Sequence, residues 1–279
     1  MTEQAQAPAP GQHVQAPALG QQAQAPETIE GWYALHQIFS IDRAALRGTT
    51  AADFQSIKQE AVAGLSELTQ PSTGGWTTIA PLIGSVGDLL VMHLRPTLDD
   101  VGDAQRRLAS LHVSDLLRPI YVFLSITEVG MYSLAAHGPA DPKREQRLKA
   151  EKESAHVQKR LFPQIPSDMP YISFYPMSKR RDEGQNWYTL PLEERAKMMQ
   201  SHGLTGRRYA GRVLQIISGA VGFDAWEWGV TLFAKDPLEF KKLVTEMRFD
   251  EASAKYAEFG TFYVGRIATP EEWLESLSR

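Results

Sequence analysis

Apolar and polar side chains alternate from residue 171 to residue 177, which predicts a β-strand. One face of this strand would be wholly apolar and the other would carry a phenol. The two faces consist of Ile172, Phe174 and Pro176, and of Tyr171, Ser173, Tyr175 and Met177. Because proline lacks the N–H that a β-ladder uses, we expect Pro176 to interrupt the pairing and to leave Tyr175 and Lys179 at a strand end.

Strand and helix patterns follow one another in an order that occurs twice. In the first half the predicted strands cover residues 32–42, 76–86, 88–96 and 120–130, and helices begin near residues 50 and 97. In the second half the strands cover 171–177, 213–221, 225–233 and 260–267, and helices begin near 191 and 236. The repeated β-α-β-β-α-β order predicts an α+β fold made of two ferredoxin-like halves. Helices would cover one face of each antiparallel sheet, and the other faces would pack together as a barrel with an apolar cavity between sheet and helices.

Changes in composition divide the chain into four segments. Residues 1–26 are almost entirely Ala, Gln, Pro and Gly, which predicts a disordered tail. The N-terminal ferredoxin-like half covers residues 27–134, and a charged segment at 135–166 with helical tendency predicts a linker. The C-terminal half covers residues 167–279.

The composition also narrows the function classes. A net charge of -4 argues against a general nucleic-acid binder, and the absence of cysteine excludes disulfides, thiolate metal sites and covalently attached haem. The sequence has no apolar run of the ~18 residues that cross a bilayer and no signal-peptide pattern, so we expect a cytoplasmic protein that binds no membrane.

His202 differs from the other histidines in its position. It continues the inward helical face formed by Leu192, Ala196 and Met199, whereas His36 and His93 lie mid-strand, where a structural role is expected. A lone inward histidine is commonly a satisfied core residue. No second histidine or carboxylate stands at chelating spacing, so a metal at His202 would need its other ligands from elsewhere, and a porphyrin supplies four.

Three further side chains leave two interpretations open. Gln215 lies in an otherwise apolar strand, where its amide either ties loops together or faces a polar ligand. Arg248 either pairs with a surface carboxylate or holds a ligand carboxylate in a cavity. Trp187 either packs in the core or lines a flat ligand.

Several motifs in the C-terminal half resemble those of the coproheme decarboxylases, members of the chlorite-dismutase-like superfamily. The motifs are Tyr175-Pro-Met-Ser-Lys-Arg-Arg, Asn186-Trp-Tyr, Glu193-Glu-Arg, His202-Gly, Gly206-Arg-Arg-Tyr-Ala-Gly, Gln215-Ile-Ile-Ser-Gly and Glu246-Met-Arg-Phe-Asp-Glu-Ala-Ser. The likeness runs from about Leu161 to Ile267, while the N-terminal half agrees only in element order.

The resemblance implies a homopentamer in which the C-terminal half of each chain binds one iron porphyrin. It also implies haem biosynthesis by hydrogen-peroxide-dependent oxidative decarboxylation, in which two propionates of Fe-coproporphyrin III (coproheme) become vinyl groups and the product is haem b. Coproheme would be both substrate and redox cofactor. The ferrochelatase that supplies it is a possible partner.

The resemblance also implies a role for each residue. His202 would be the axial iron ligand, Tyr175 the catalytic radical and Lys179 its partner at the reacting propionate, with Gln215 on the distal side of the iron. The porphyrin would be lined or anchored by Pro176, Met177, Ser178, Trp187, Arg248 and Ser253. Arg160 would be a further propionate anchor, although its spacing to Tyr175 is one residue longer than in close relatives.

Two alternative functions remain open at this point. A chlorite dismutase or other haem peroxidase on the same fold would use a distal arginine where this chain has Gln215. A haem carrier without turnover would need His202 but not Tyr175.

Overall fold

Strands and helices follow one another in the predicted order in the computed structural model, which describes residues 24–132 and 142–278. The first half consists of β1 (Thr28–Ile41), α1 (Arg43–Gly48), α2 (Ala51–Thr69), β2 (Trp76–Pro81), β3 (Leu89–Arg95), α3 (Leu98–Ala109) and β4 (Leu117–Gly130). Two helices follow, α4 (Arg144–Glu153) and α5 (Ala155–Leu161). The second half consists of β5 (Tyr171–Lys179), β6 (Arg181–Asp182), β7 (Gln185–Asn186), α6 (Leu192–Arg207), β8 (Val213–Gly219), β9 (Trp228–Ala234), α7 (Leu238–Arg248), α8 (Glu251–Ala254), β10 (Ala257–Phe259), β11 (Tyr263–Arg266) and α9 (Pro270–Leu277).

Side-chain caps explain where several of these helices begin. The Thr50 hydroxyl accepts a hydrogen bond from the Asp53 N–H and donates one to the Asp53 carboxylate, 2.7 Å away. Thr97 and Asp100 repeat the arrangement at α3. Each cap satisfies an N–H that the first helical turn leaves without a partner.

The nine strands other than β6 and β7 form one antiparallel sheet that closes into a barrel. Its order is β10-β5-β9-β8-β4-β1-β3-β2, and β11 also pairs with β5. The two halves join where Ile126 of β4 pairs with Gly219 of β8. At the open edge, Ile83 donates to the Val264 carbonyl at 2.8 Å and Ala268 to the Ile79 carbonyl at 3.1 Å, which connects β2 to β11. The predicted α+β fold is therefore confirmed.

The period of two in each strand separates two cores. Phe123, Ile172 and Phe174 point into the barrel, where they form a fully buried aromatic and aliphatic core. On the outer face, α2, α3 and α9 cover the first half and α7 covers the second, with α6 packed against α7 and α8. The segment after α5 crosses one end of the barrel, where the Trp76 indole donates to the Pro163 carbonyl at 2.8 Å.

The expectation that Pro176 interrupts the strand is wrong. β5 runs without a break to Lys179, and Pro176 pairs with Gly229 of β9. The Pro176 carbonyl faces the other neighbour and accepts from the Gly260 N–H at 2.9 Å, in the gap between β10 and β11. Since the N and C=O of one strand residue point to the same side, the missing N–H also faces this gap and no ladder bond is lost.

The division of the chain into four segments remains a prediction. Most of the predicted tail lies outside the described residues, as do residues 133–141 of the boundary before the linker. The described part of the linker is helical from Arg144 to Leu161 apart from a break at Ser154. No helix in the described ranges has both the length and the hydropathy needed to cross a membrane.

Candidate functional site

Strand β5 places Tyr175 on the outer face of the sheet, in the core that α7 covers. The side chain is 7% exposed, and its ring stacks on Phe262 with 4.3 Å between centroids. Its hydroxyl makes no hydrogen bond within the described ranges. Burial raises the pKa of Tyr175 above its usual range, and the charge of Arg248 opposes that rise. Tyr175 is therefore a neutral phenol in an apolar setting.

His202 lies on α6, and its imidazole is held from one side. Its Nδ1 is 3.2 Å from Oδ2 of Asp250, whose side chain is 3% exposed, while the His202 side chain is 29% exposed. Burial lowers the pKa of His202, the Lys179 charge lowers it further, and Asp250 opposes both. A neutral imidazole that donates from Nδ1 to Asp250 keeps the Nε2 lone pair available. A carboxylate that holds the other ring nitrogen in this way is typical of a histidine that ligates a metal.

Lys179, at the end of β5, is a buried cation. It is 8% exposed, its Nζ donates to the Ala252 carbonyl at 2.8 Å, and the ammonium lies 4.3 Å from the centre of the Trp187 ring. Burial lowers its pKa to about 8, against the opposing charges of Asp250 and Glu227. Near neutral pH the amine is thus mostly protonated, yet close to the pH at which it exchanges its proton.

The amide of Gln215 faces the same layer between sheet and helices. β8 turns Val213, Gln215 and Ile217 outward, and Val213 and Ile217 pack in the Tyr175 core. A Cβ built on Gly206 of α6 would lie 3.4 Å from the Gln215 Nε2. Gly206 is one helical turn beyond His202, so the structure brings Gln215 to the helix that carries the histidine.

Two predicted arginine anchors differ in where they lie. Arg248 ends α7 and its guanidinium is 3.9 Å from the centre of the Phe259 ring, beside Tyr175. Arg160 ends α5, which packs on β1 and β4, and burial lowers its pKa. Among the described residues neither arginine forms an ion pair or a hydrogen bond. Arg248 joins the site, whereas no contact connects Arg160 with Tyr175, Lys179 or His202.

The other predicted lining residues lie along β5 and on the Trp187 side of Lys179. Trp187 is 2% exposed and packs with Met198, Ala252 and Tyr256, so it supports the Lys179 side of the site as part of a core. Met177 and Pro176 lie on either face of β5 next to Tyr175, and Ser178 and Ser253 are buried. The Ser178 hydroxyl accepts from the Glu227 N–H at 3.2 Å.

Sequence reasoning assigned no role to three residues that the structure brings to the site. Asp250 contacts His202, and Phe259 and Phe262 pack against Tyr175. Asp250 stood inside a quoted motif, directly after the Arg248 helix end, and this position was the available signal. Phe259 ends β10, where no strand was predicted, and Phe262 lies within the predicted strand 260–267 but in the gap between β10 and β11.

The donor set fits a metalloporphyrin that carries carboxylates. An imidazole with a free Nε2 can ligate iron, and lysine and arginine without carboxylate partners can bind propionates. The described residues contain no group of three or more His, Asp or Glu side chains that could hold a metal ion by themselves. The fold and the site thus define an α+β barrel of two ferredoxin-like halves within one chain, of the porphyrin-binding class.

The chain belongs to the chlorite dismutase family, which it matches over residues 55–268. The coproheme decarboxylase of Staphylococcus saprophyticus is 45% identical over 247 residues, 88% of this chain and 95% of the relative. That of Staphylococcus carnosus is 44% identical over 255 residues, 91% of this chain and 98% of the relative. The resemblance found in the motifs is therefore confirmed. The match also covers most of the N-terminal half, where the expectation that only the element order agrees was wrong.

Solved structures agree with this assignment. A heme-binding protein from Thermus thermophilus superposes with a TM-score of 0.79 at 40% identity, covering 91% of this chain and 98% of that one. A mutant chlorite dismutase from Candidatus Nitrospira defluvii gives a TM-score of 0.70 at 17% identity, covering 90% and 97%. The second likeness concerns the fold alone.

Proposed function

We propose that this chain decarboxylates coproheme to haem b in haem biosynthesis, with hydrogen peroxide as the oxidant. Relatives of that name at 44–45% identity support the proposal. The observation that carries it is the setting of Tyr175, a buried phenol without a hydrogen-bond partner among the described residues, on the sheet face that α7 covers. A carrier needs no such phenol.

The proposed reaction is balanced in electrons. Each propionate loses carbon dioxide, one proton and two electrons to become a vinyl group, and one peroxide takes up two electrons and two protons to become water. When bound, the iron porphyrin supplies the oxidising power. Tyr175 gives up an electron and a proton to the oxidised site, then takes a hydrogen atom from the propionate β-carbon and returns to the phenol. The propionate then releases carbon dioxide and gives its second electron to the same oxidised site. Its apolar surroundings exclude water from the radical.

The remaining residues hold the substrate. His202 would hold the iron through Nε2 while Asp250 holds its Nδ1, and Gln215 would offer its amide to the same site. Lys179 binds the reacting propionate as an ammonium and can move a proton to or from it. Arg248 anchors a second carboxylate. Pro176, Met177, Ser178, Trp187 and Ser253 line the slot, and the role of Arg160 as a further anchor stays a prediction.

Self-association is part of the same proposal. Leu98, Ile120 and Val122 are 40–46% exposed on α3 and β4, the first half's outer face, and this strip supports the expected homopentamer. A sedimentation or native-mass measurement tests it. Supply of coproheme by a ferrochelatase and a cytoplasmic location stay predictions.

Mass spectrometry of the porphyrin tests the proposed reaction. Ferric coproheme bound to the protein should lose the mass of two carboxyl groups when peroxide is added. Tyr175→Phe should bind coproheme as the wild type does and leave its mass unchanged, whereas Tyr171→Phe, on the same strand face, should react normally. An unchanged porphyrin mass in the wild type would support a carrier instead, and full activity in Tyr175→Phe would remove only the radical role.

A further inference from the structure

Two aromatic stacks lie back to back where β5 pairs with β11. On the outer face Tyr175 stacks on Phe262, as described above. On the inner face their chain neighbours, Phe174 and Tyr263, are direct cross-strand partners and stack with 6.2 Å between centroids and 14° between planes. Tyr175 is therefore one peptide unit away from a ring stack inside the barrel.

The inner stack continues to a second tyrosine. Tyr263 stacks on Tyr121 of β4 at 6.2 Å and 16°, and the Tyr121 hydroxyl donates to Oδ1 of Asp224 at 3.4 Å. Phenylalanine would fill a barrel core without a hydroxyl that needs a partner. Tyr121 is itself only half-buried, so the series reaches the surface at this ring.

We infer that Tyr263 and Tyr121 form a path through which an oxidising equivalent leaves Tyr175 when no propionate is available to react. The inference rests on the proposed radical role of Tyr175. Once both reactive propionates have become vinyl groups, further peroxide still oxidises the site, and the oxidising equivalent then has no productive use. The path carries it out of the porphyrin layer before it damages the slot.

The transfer balances in electrons and protons. The Tyr175 phenoxyl gains an electron from Tyr263, regains the proton that it gave up on oxidation and becomes the phenol. Tyr263 regains its electron from Tyr121, which gives its proton to the Asp224 carboxylate and becomes the phenoxyl. A small one-electron reductant such as ascorbate then gives Tyr121 one electron and one proton, and Asp224 releases its proton to solvent.

The position of Asp224 gives the path its direction. A phenol is easier to oxidise when a base accepts its proton in the same step. Tyr121 has such a base at 3.4 Å, whereas Tyr175 has no hydrogen-bond acceptor among the described residues. The oxidising equivalent is therefore more stable on Tyr121 than on Tyr175.

Trapping of the radical on haem b-loaded protein tests the path, because this form has no reactive propionates left. After peroxide and a nitrone spin trap are added, peptide mass spectrometry should locate an adduct on Tyr121 in the wild type. Tyr263→Phe should reduce that adduct at least tenfold, Asp224→Asn should reduce it severalfold, and both should bleach the haem faster. Tyr171→Phe, which shares a strand face with Tyr175, should behave as the wild type.

Two outcomes would overturn the inference. One is an absence of Tyr121 adduct in the wild type, and the other is an undiminished adduct in Tyr263→Phe. Coproheme decarboxylation, measured in parallel, separates this result from the proposed function. Tyr263→Phe should retain decarboxylation while it loses the adduct, whereas failure of the radical role would show as normal decarboxylation in Tyr175→Phe.

Discussion

The two halves of the barrel have the same order of strands and helices but use their buried polar groups differently. In the first half, the Arg95 guanidinium is 2% exposed and donates to three backbone carbonyls and the Thr77 hydroxyl at 2.6–3.0 Å. In the second half, Arg248 is exposed at the end of α7 and has no such acceptor among the described residues. The first guanidinium stabilises the fold and the second remains available to a ligand.

The histidines show the same contrast. His93 is fully buried and its Nδ1 bonds to the Thr77 hydroxyl at 2.8 Å, and burial lowers its pKa to about 3. His202 is partly exposed, and a carboxylate rather than a hydroxyl holds its Nδ1. A duplicated fold can therefore keep one half as a closed core while the other keeps the same layer open to chemistry.

Replacing each histidine by alanine should give the largest difference between the two halves in coproheme affinity and in unfolding free energy. His202→Ala should lower the affinity for ferric coproheme roughly 100-fold or more and change its absorption spectrum, because the axial ligand is lost. Its unfolding free energy should stay within about 1 kcal/mol of the wild type. His93→Ala should bind coproheme normally but lose about 2–4 kcal/mol, since a fully buried side chain leaves a cavity. Denaturant titration and absorbance titration measure the two effects, and an unchanged spectrum in His202→Ala would contradict the ligand assignment.

Replacing the two arginines should give the same contrast between stability and binding, with a smaller effect on binding. Arg95→Met should destabilise the protein by about 3–5 kcal/mol, because buried carbonyls lose their donors. Arg248→Met should leave stability within about 0.5 kcal/mol and weaken coproheme binding roughly tenfold, the worth of one charge-assisted hydrogen bond. Coproheme methyl ester, which lacks the carboxylates, provides the control ligand. If Arg248→Met weakened the ester equally, its role would be apolar packing and not carboxylate binding.

The smallest effect concerns pH and Lys179. Its pKa is lowered to about 8, so above that pH the free amine is neutral and binding of a propionate must be accompanied by proton uptake. Coproheme affinity should therefore fall as pH rises above about 8, by at most about tenfold per pH unit. Lys179→Arg keeps its charge and should remove this part of the pH dependence. Equal slopes in the two proteins, measured by absorbance titration, would show that Lys179 does not bind a propionate.

Local patterns were sufficient to predict much of the fold. The alternation around Tyr175 correctly separated the barrel face of β5 from its helix face, because side chains on a strand must alternate. The twofold element order was also readable from the chain. The predicted inward face of α6 was only partly right, because the buried residues of that helix are Arg195 and Met198. The strand break at Pro176 was predicted wrongly because the sequence does not show which edge of β5 has a gap in its partners.

The fold class and the element order could be predicted from the sequence alone. Its motifs also predicted the family and the residues of the candidate site. These depend on periods and spacings along one stretch of chain. Long-range packing shows that Asp250 holds His202 and that Trp187 packs against Lys179. It also shows that no contact connects Arg160 with Tyr175, and that Tyr263 and Tyr121 stack inside the barrel. These contacts join residues far apart in the chain, and closure of the sheet brings them together where no local pattern records them.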